Sequence, residues 1–340
     1  MTQIRKTIAQ GRLAAVAATL IGLALFSPCG PVGPQAAESN AARTVAITFD
    51  DLPHVNAADP EAPLPPTLHA VRQVNRDILG ALKSHAVPAT GFVVEKRVEQ
   101  LGPVGKDILK DWIDAGLDLG NHTYSHADSN ALDINAIEKE IVDGERSISP
   151  FLFRSAASKP RFLRLPYNHV GNTPEKQQAI TTLAAGHGYT LAASTIDTSD
   201  YLFDRAYEKA LAARDTAKVE RIVAAYLDHT REQITYYAGL NRQVLGYEPP
   251  AIMLLHVNSL NAVTLDRILT LFEEAGYRFI TLETAQADPA YQQPLTIATK
   301  FGPMWGYRWA RQYNVKVNGS AEKEPPDWVV KYGESIQPDL

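Results

Sequence analysis

The sequence predicts an α/β protein with about seven parallel strands, and two observations support this. Short apolar, β-branched runs of strand length alternate with segments whose apolar residues recur at helical spacing. Gly116, Gly188 and Gly276 each end a helical segment just before the next strand. Strand–helix alternation favours a parallel sheet. Seven strands are more than a small doubly wound sheet needs and fewer than the eight of a regular barrel, so both layouts stay open.

Seven apolar runs are predicted to be strands. They are residues 45–49, 89–94, 117–120, 162–165, 190–195, 252–255 and 279–282. Helical periodicity is found over residues 68–85, 104–115, 135–148, 174–187 and 263–275. Pro174, directly after Thr173, is typical of a first helical turn. Residues 204–240 are long, charged and helical, which predicts a helical insertion between strands five and six.

The first 37 residues have the layout of a secretory signal peptide. Three basic residues precede an apolar run over residues 13–26, and small residues follow up to Ala37. The run is short for a transmembrane helix, so we expect cleavage near Ala37 and no stable membrane insertion afterwards. An uncleaved membrane anchor is the alternative. Cleavage would remove Cys29, the only cysteine, and with it any disulfide or thiolate chemistry.

Reactive side chains collect at the predicted strand ends, where either layout places a functional site. The first strand ends in the adjacent Asp50 and Asp51, whose charges repel and therefore need a cation, a proton or open water. The later strand ends read "GNHTYSH", "RLPY", "DTSDY" and "LLH", and they supply His122, His126, Arg164, Tyr167, Asp197, Asp200 and His256.

His122 and His126 are four residues apart, so both imidazoles can face one ion. One strand-end aspartate would complete a set of two histidines and one carboxylate. Zinc fits such ligands when water completes its shell, and iron(II) uses the same trio in oxygenases. The other aspartate can then act as general base on a water molecule whose pKa the ion lowers to about 7.

The remaining strand-end residues suit the later steps of a hydrolysis. His256 can protonate a leaving group as general acid. Arg164 can keep the base aspartate ionised and oriented. Asp197 or Asp200 can hold His256 in the required tautomer and raise its pKa, and the sequence leaves that choice open.

The motifs "TFDD", "HTYSH", "RLPY", "DTSDY" and "LLH", in this order, resemble the five motifs of polysaccharide deacetylases. This is carbohydrate esterase family 4, the nodulation-protein-B homology domain, and the resemblance covers roughly residues 43–285. It implies a distorted (β/α) barrel of about seven strands. It also implies metal-dependent removal of acetyl groups from sugars, N-acetyl before O-acetyl.

The resemblance also implies a metal centre and a base. Asp51, His122 and His126 would hold one divalent ion, zinc first, with Co²⁺, Ni²⁺ and Fe²⁺ as alternatives. Asp50 would be the base and Arg164 its partner.

The same resemblance implies roles on the substrate side. The backbone N–H of Tyr167 would help bind the oxyanion, Leu254 would line the pocket for the acetyl methyl, and His256 would be the acid. Three positions depart from the family pattern: Leu52 and Asn168 replace usual glycines, and Tyr201 stands where tryptophan is common. Asparagine tolerates left-handed backbone better than leucine does. The departures concern the sugar-binding walls rather than the chemistry.

These observations predict an exported enzyme, periplasmic or secreted, that deacetylates a polysaccharide or oligosaccharide of the cell envelope. Residues 38–287 would form the catalytic domain. Residues 288–340 would form a C-terminal extension packing on it, with a sugar-stacking platform of Trp305, Tyr307 and Trp309 as the alternative. The net charge of −5 and the lack of a basic run argue against nucleic acid. The oligomeric state is not indicated.

Three other functions were weighed. A hydrolase of a cyclic amide or imide would use the same site. An iron(II) oxygenase is disfavoured by the strand–helix alternation. A catalytically silent glycan-binding protein would lack a base or an acid, yet Asp50 and His256 are both present.

Overall fold

The computed structural model describes residues 43–56, 66–152 and 161–334, so the predicted signal peptide and its cleavage site lie outside these ranges. The strands in these ranges are β1 (Arg43–Leu52), β2 (Ala89–Val93), β3 (Asp118–Asn121), β4 (Arg161–Leu163), β5 (Tyr189–Leu191), β6 (Ala251–His256) and β7 (Tyr277–Phe279). They form one sheet in the order β5-β4-β3-β2-β1-β6, and β7 pairs with the first residues of β1. Every pairing is parallel.

Helices surround this sheet. In chain order they are α1 (Leu68–Ser84), α2 (Glu95–Leu101), α3 (Pro103–Asp114), α4 (Ile134–Asp143), α5 (Ser149–Leu152), α6 (Pro174–Gly186), α7 (Asp200–Ala212), α8 (Thr216–Leu245), α9 (Ser259–Glu274), α10 (Leu282–Gln286), α11 (Pro289–Gln292), α12 (Trp305–Gln312) and α13 (Asp327–Glu334). The parallel half-barrel sheet with its surrounding helices confirms the predicted distorted (β/α) barrel.

The barrel is distorted where β5 and β6 approach each other. The fifth predicted strand, residues 190–195, is shorter than expected because the chain leaves β4 after Leu191. The backbone N–H groups of Thr195 and Ile196 then both donate to the carbonyl of Ile252 in β6. Ile196 also forms a single bridge with Met253, so one irregular contact takes the place of a ladder.

The last predicted strand, residues 279–282, lies two to three residues later in the chain than the observed β7. Its end is instead the start of α10, because the side chain of Thr281 accepts the N–H of Thr284 and caps that helix. The predicted insertion, residues 204–240, is two helices rather than one. Asp215 caps the start of α8 after a break at Arg214, whose φ is 56°.

The core lies between the sheet and the helices. The predicted apolar stripe of α1 is buried, and Trp112 of α3 packs edge-on against Phe49 of β1 at a ring distance of 5.7 Å. In the C-terminal segment, Trp305 and Trp309 are buried, so they pack inside the molecule and do not form an open platform. Among the described residues, no helix combines the length and the apolar character needed to cross a membrane.

Candidate active site

A cavity of about 480 Å³ opens at the carboxyl ends of the strands. Most residues that the sequence predicts for the site line it, namely Asp50, Asp51, His122, His126, Tyr167, Asp197, Leu254 and His256. Arg164 and Asp200 are absent from this lining because they lie behind Asp50 and His256. The strand-end prediction therefore identifies one cavity and the groups that support its walls.

An irregularity at the end of β1 brings both aspartates to this cavity. The pairing of β1 with β2 shifts register between Phe49 and Leu52, and Asp51 has a left-handed φ of 69°. The normal alternation of a strand is thereby broken, and both carboxylates face the same opening. Leu52 needs no glycine-like backbone because Asp51 makes the turn, and its side chain is buried beside Gly91.

Asp51, His122 and His126 form a group whose ligand atoms all lie within 4.8 Å of one another. Asp51 Oδ1 is 3.3 Å from His126 Nε2 and 3.8 Å from His122 Nε2. His122 Nδ1 lies 2.7 Å from the carbonyl oxygen of Arg164, so Nδ1–H donates there and Nε2 keeps its lone pair for a ligand. This is the arrangement that a histidine–metal bond requires.

The protonation of this group also suits a cation. Burial lowers the pKa of His126 to about 4 and lowers that of His122, so both imidazoles are neutral at pH 7. Burial alone would raise the pKa of Asp51, but the positive charge of Arg97 and the nearby histidines hold it well below its usual range. Asp51 Oδ1 is buried without a hydrogen-bond partner. An orphaned anionic oxygen beside two neutral imidazoles fits a divalent ion such as zinc.

Asp50 is supported by a different cation. Arg164 Nη1 donates to Asp50 Oδ1 at 2.8 Å and to Thr48 Oγ1 at 2.8 Å, and Nη2 donates to the carbonyl of Ala193. The guanidinium is buried and stacks over the ring of Phe92 at 4.3 Å. These contacts fix the carboxylate of Asp50 beside the candidate metal group, with Oδ2 3.8 Å from His122 Nε2.

His256 is paired with Asp200, which resolves the alternative that the sequence left open. His256 Nδ1 is 2.6 Å from Asp200 Oδ1, and the His256 backbone N–H donates to Asp200 Oδ2 at 2.7 Å. Burial opposes a charged imidazole, but the charge and hydrogen bond of Asp200 outweigh it and raise the pKa of His256 to about 10. Asp197 instead accepts the N–H of Ser199, and burial raises its pKa to about 6.

The loop after β4 has an uncommon backbone. Tyr167 and Asn168 are both left-handed, with φ of 60° and 54°. The expectation that asparagine can adopt the turn usually made by glycine agrees with this geometry. The Tyr167 ring is more than half exposed and lies 5.0 Å from the ring of His126, and Leu254 lines the same cavity.

Sequence reasoning missed four residues at this cavity. Arg97 Nη1 lies 2.6 Å from Asp51 Oδ1, without the alignment of a hydrogen bond. Arg97 follows β2, so inspection of that strand end as well would have found it. Asp204, Gly302 and Met304 line the cavity from α7 and from the C-terminal segment. No motif or periodicity marks these three positions.

Comparison with known proteins gives one family. Residues 37–192 match the family model described as Polysaccharide deacetylase. The peptidoglycan-N-acetylglucosamine deacetylase of Bacillus cereus is 29% identical over 126 residues, 37% of this chain and 37% of that protein. The chitin deacetylase of Pestalotiopsis sp is 28% identical over 195 residues, 55% of each. The chain thus spans between about a third and about a half of the length of these curated relatives.

Two solved structures are also similar to this chain. The family 4 carbohydrate esterase from Streptomyces lividans, in complex with acetate, is 19% identical with a TM-score of 0.44, over 72% of this chain and 97% of that chain. A CE4 family pseudoenzyme from Bacillus anthracis is 18% identical with a TM-score of 0.46, over 72% of this chain and 66% of that chain. The match of residues 37–192 places the protein in the polysaccharide deacetylase family.

Proposed function

We propose that the protein is a metal-dependent deacetylase that removes N-acetyl groups from a polysaccharide or oligosaccharide. The observation that carries this proposal is the meeting of three groups in one cavity. They are the Arg164-supported Asp50, the cluster of Asp51, His122 and His126, and the Asp200-supported His256. Relatives named as peptidoglycan and chitin deacetylases support an acetylated glycan as the substrate.

Asp51, His122 and His126 would hold the ion, which we propose to be zinc. When bound, a divalent ion would polarise the acetyl carbonyl and lower the pKa of a water molecule to about 7. The donor set supports this assignment because it offers two neutral imidazoles and one ionised carboxylate.

The side chains around this centre supply the proton transfers. Asp50 accepts a proton from the attacking water as its oxygen bonds to the acetyl carbon. The N–H of Tyr167 donates to the oxyanion that develops on the carbonyl oxygen, while Leu254 contacts the methyl group. His256 then protonates the sugar nitrogen as the carbon–nitrogen bond breaks, which releases acetate and a free amine.

Each reactive side chain has a partner that prepares it. Arg164 orients Asp50 and balances its charge, so the carboxylate is ready to accept a proton. Asp200 raises the pKa of His256, so the imidazole enters the reaction loaded with a proton. Asp200 itself remains ionised throughout.

Acetate release from a panel of substrates tests the proposal. The panel holds N-acetylglucosamine oligomers, peptidoglycan, an O-acetylated polysaccharide and a cyclic imide. We expect release from an N-acetylated glycan, loss of activity with a chelator, and recovery on adding zinc. Turnover of the imide alone would favour the rival hydrolase. Activity that is unaffected by thorough chelation would contradict the metal assignment.

We also propose that the protein is exported, because its first 37 residues have the pattern of a signal peptide. The mature chain would then begin near Glu38 in the periplasm or the medium. N-terminal sequencing of the native protein tests this. An intact Met1 or Thr2 in the cytosolic fraction would contradict it.

A further inference from the structure

The C-terminal segment of residues 299–308 reaches the active-site cavity. Gly302 and Met304 line the cavity directly, and the N–H of Trp305 donates to the carbonyl of Ser194 at 2.9 Å. This segment lies more than a hundred residues beyond the last residue of the family match. Its contacts with the cavity wall are therefore a feature that the family assignment does not describe.

Arg308 is the centre of these contacts. The residue is fully buried, and its guanidinium lies 5.0 Å from the ring centroid of Trp305. Nη2 donates to the carbonyl of Asn168 at 2.7 Å, Nε to that of Pro303 at 3.0 Å, and Nη1 to Thr299 Oγ1 at 3.2 Å. Neutral oxygens thus hold this buried cation in three directions.

Burial of this guanidinium is costly, which argues against an incidental role. Burial lowers the pKa of Arg308 to about 10, Arg311 lowers it further, and none of the described carboxylates offsets this. A buried charge persists only when hydrogen bonds satisfy it. The carbonyl of Asn168 accepts the shortest of the three bonds, so the strongest contact of this cation is with the loop after β4.

That loop needs support from outside. Two consecutive non-glycine residues with left-handed backbone are strained, and such strain persists only where the surroundings hold it. Within the loop, Asn168 N–H donates to Leu165 O and His169 N–H to Pro166 O. From the C-terminal segment, Arg308 holds the carbonyl of Asn168, and the N–H of Thr299 donates to Gly171 O.

Gly302 closes the contact on the other side of Tyr167. A Cβ atom at Gly302 would lie 1.7 Å from the carbonyl oxygen of Tyr167 and 2.8 Å from Asn168 Cβ. Only glycine therefore permits this approach. The two carbonyls that follow the Tyr167 Cα are fixed by Gly302 and Arg308, which fixes the Tyr167 dihedrals and the direction of its N–H.

We propose that Arg308 and Gly302 are positioning residues, which hold the Tyr167 peptide so that its N–H points at the developing oxyanion. The proposal rests on the proposed deacetylase function for the role of that N–H. A prepositioned donor stabilises the transition state more than the bound substrate, and a misplacement of 1 Å can cost about 10²-fold in rate. The loss should therefore fall on kcat rather than on KM.

The test compares Arg308→Met, Arg308→Lys and Gly302→Ala with the control Tyr237→Phe. Tyr237 of α8 donates to Glu322 Oε1 at 2.5 Å, so this control weakens the attachment of the C-terminal segment without touching the loop. The measurements are kcat, KM, metal content, melting temperature and amide hydrogen exchange of residues 163–172.

Arg308→Met and Gly302→Ala are each expected to lower kcat by about 10- to 100-fold with KM nearly unchanged. Faster exchange of the loop amides and unchanged metal content should accompany this. Arg308→Lys should recover part of kcat, because one donor can still reach the Asn168 carbonyl. Tyr237→Phe should lower the melting temperature but keep kcat and the loop protection.

Wild-type kcat and loop protection in both Arg308→Met and Gly302→Ala would overturn the proposal. A fall of kcat in Tyr237→Phe that matches its loss of stability would also overturn it, since the effect would then be general. If Arg308→Met does not fold, Arg308→Lys and Gly302→Ala decide by the same measurements. If the wild type releases no acetate, the deacetylase function fails, and hydrogen exchange alone decides whether Arg308 and Gly302 hold the loop.

Discussion

Two buried ion pairs support the active-site cavity, and they prepare opposite partners. In the Asp50–Arg164 pair the carboxylate faces the cavity and the permanent cation lies behind it. In the His256–Asp200 pair the imidazole faces the cavity and the carboxylate lies behind it. The same interaction therefore offers a proton acceptor at one place and a proton donor at the other.

A third buried carboxylate shows what the partner contributes. Asp204 lines the same cavity and accepts the N–H of Leu260, but the described residues give it no cation. Burial, with help from Glu208, raises its pKa to about 8, so it is largely protonated at pH 7. Asp200 is just as buried, yet its pKa lies below the usual value because of His256. The ionic partner, rather than burial, decides the charge.

The largest expected effect comes from the centre that lies between the two pairs. His122→Ala or His126→Ala should remove most of the bound metal and nearly all activity, because each deletes one of three ligands. The fold should persist, since the core strands do not depend on these side chains. Elemental analysis beside kcat/KM checks this, with the exposed His69→Ala as control. Full metal occupancy in either variant would refute the ligand assignment.

The next effect separates the adjacent aspartates. Asp50→Asn should keep the metal and lose about 10²- to 10⁴-fold in kcat/KM, because a positioned base is worth that much. Asp51→Asn should weaken metal binding first, with activity partly restored at high metal concentration. Metal content and kcat/KM are measured side by side. Loss of metal in Asp50→Asn instead would reverse the two roles.

A comparable loss is expected from the other pair, with a different signature. His256→Ala should retain metal and lose about 10²- to 10⁴-fold in rate as a general acid is removed. Its loss should be largest on the acidic and neutral side of the profile, where the wild-type imidazole carries a proton. A variant that keeps the wild-type rate and profile would show that the acid lies elsewhere.

A smaller effect tests the support of that acid. Asp200→Asn removes the charge that raises the pKa of His256, so the imidazole should lose its proton at lower pH. Because the acid works only when protonated, the alkaline limb of kcat/KM should move to lower pH. Asp197→Asn is the matched control, since Asp197 bonds to Ser199 and not to His256. An equal displacement in both variants would contradict the pairing.

The smallest effect concerns stability and involves the carboxylate without a cation. The pKa of Asp204 is higher in the folded than in the unfolded chain, so the folded state binds more protons between pH 4 and pH 8. Its contribution to stability therefore falls as pH rises through this window, by at most about 1.4 kcal/mol per pH unit. Asp204→Asn does not titrate and still accepts the Leu260 N–H. Its melting temperature relative to wild type should rise from pH 5 to pH 8; a constant difference would mean that Asp204 is ionised.

The sequence was most informative where chemistry coincides with periodicity. Strand ends are readable from apolar runs, and the runs ending at Asp50, Arg164 and His256 lead to the same edge of the sheet. The short fifth strand was overestimated because Ala192 and its neighbours remain apolar while the chain crosses to β6. Apolar character reports burial, not which ladder a segment joins.

Other features depend on backbone geometry that residue types do not specify. Asp200 rather than Asp197 meets His256 because Ser199, with a left-handed φ of 49°, turns the chain into α7. The turn that aligns the two aspartates falls on Asp51, not on the position that the family pattern marks with glycine. The contacts of Gly302 and Arg308 were unpredictable for another reason, because no local pattern reports a contact so distant along the chain.

The bond between Arg308 and Asn168 joins residues 140 positions apart, which has a consequence for how the site is assembled. Contacts of such long sequence separation form late, because the intervening chain must be ordered first. The metal-binding side chains and the base come from the first strands and can be arranged early during folding. The oxyanion loop would receive its final support only when the last helices dock. A folding chain would therefore acquire the capacity to bind metal before it acquires full catalytic competence.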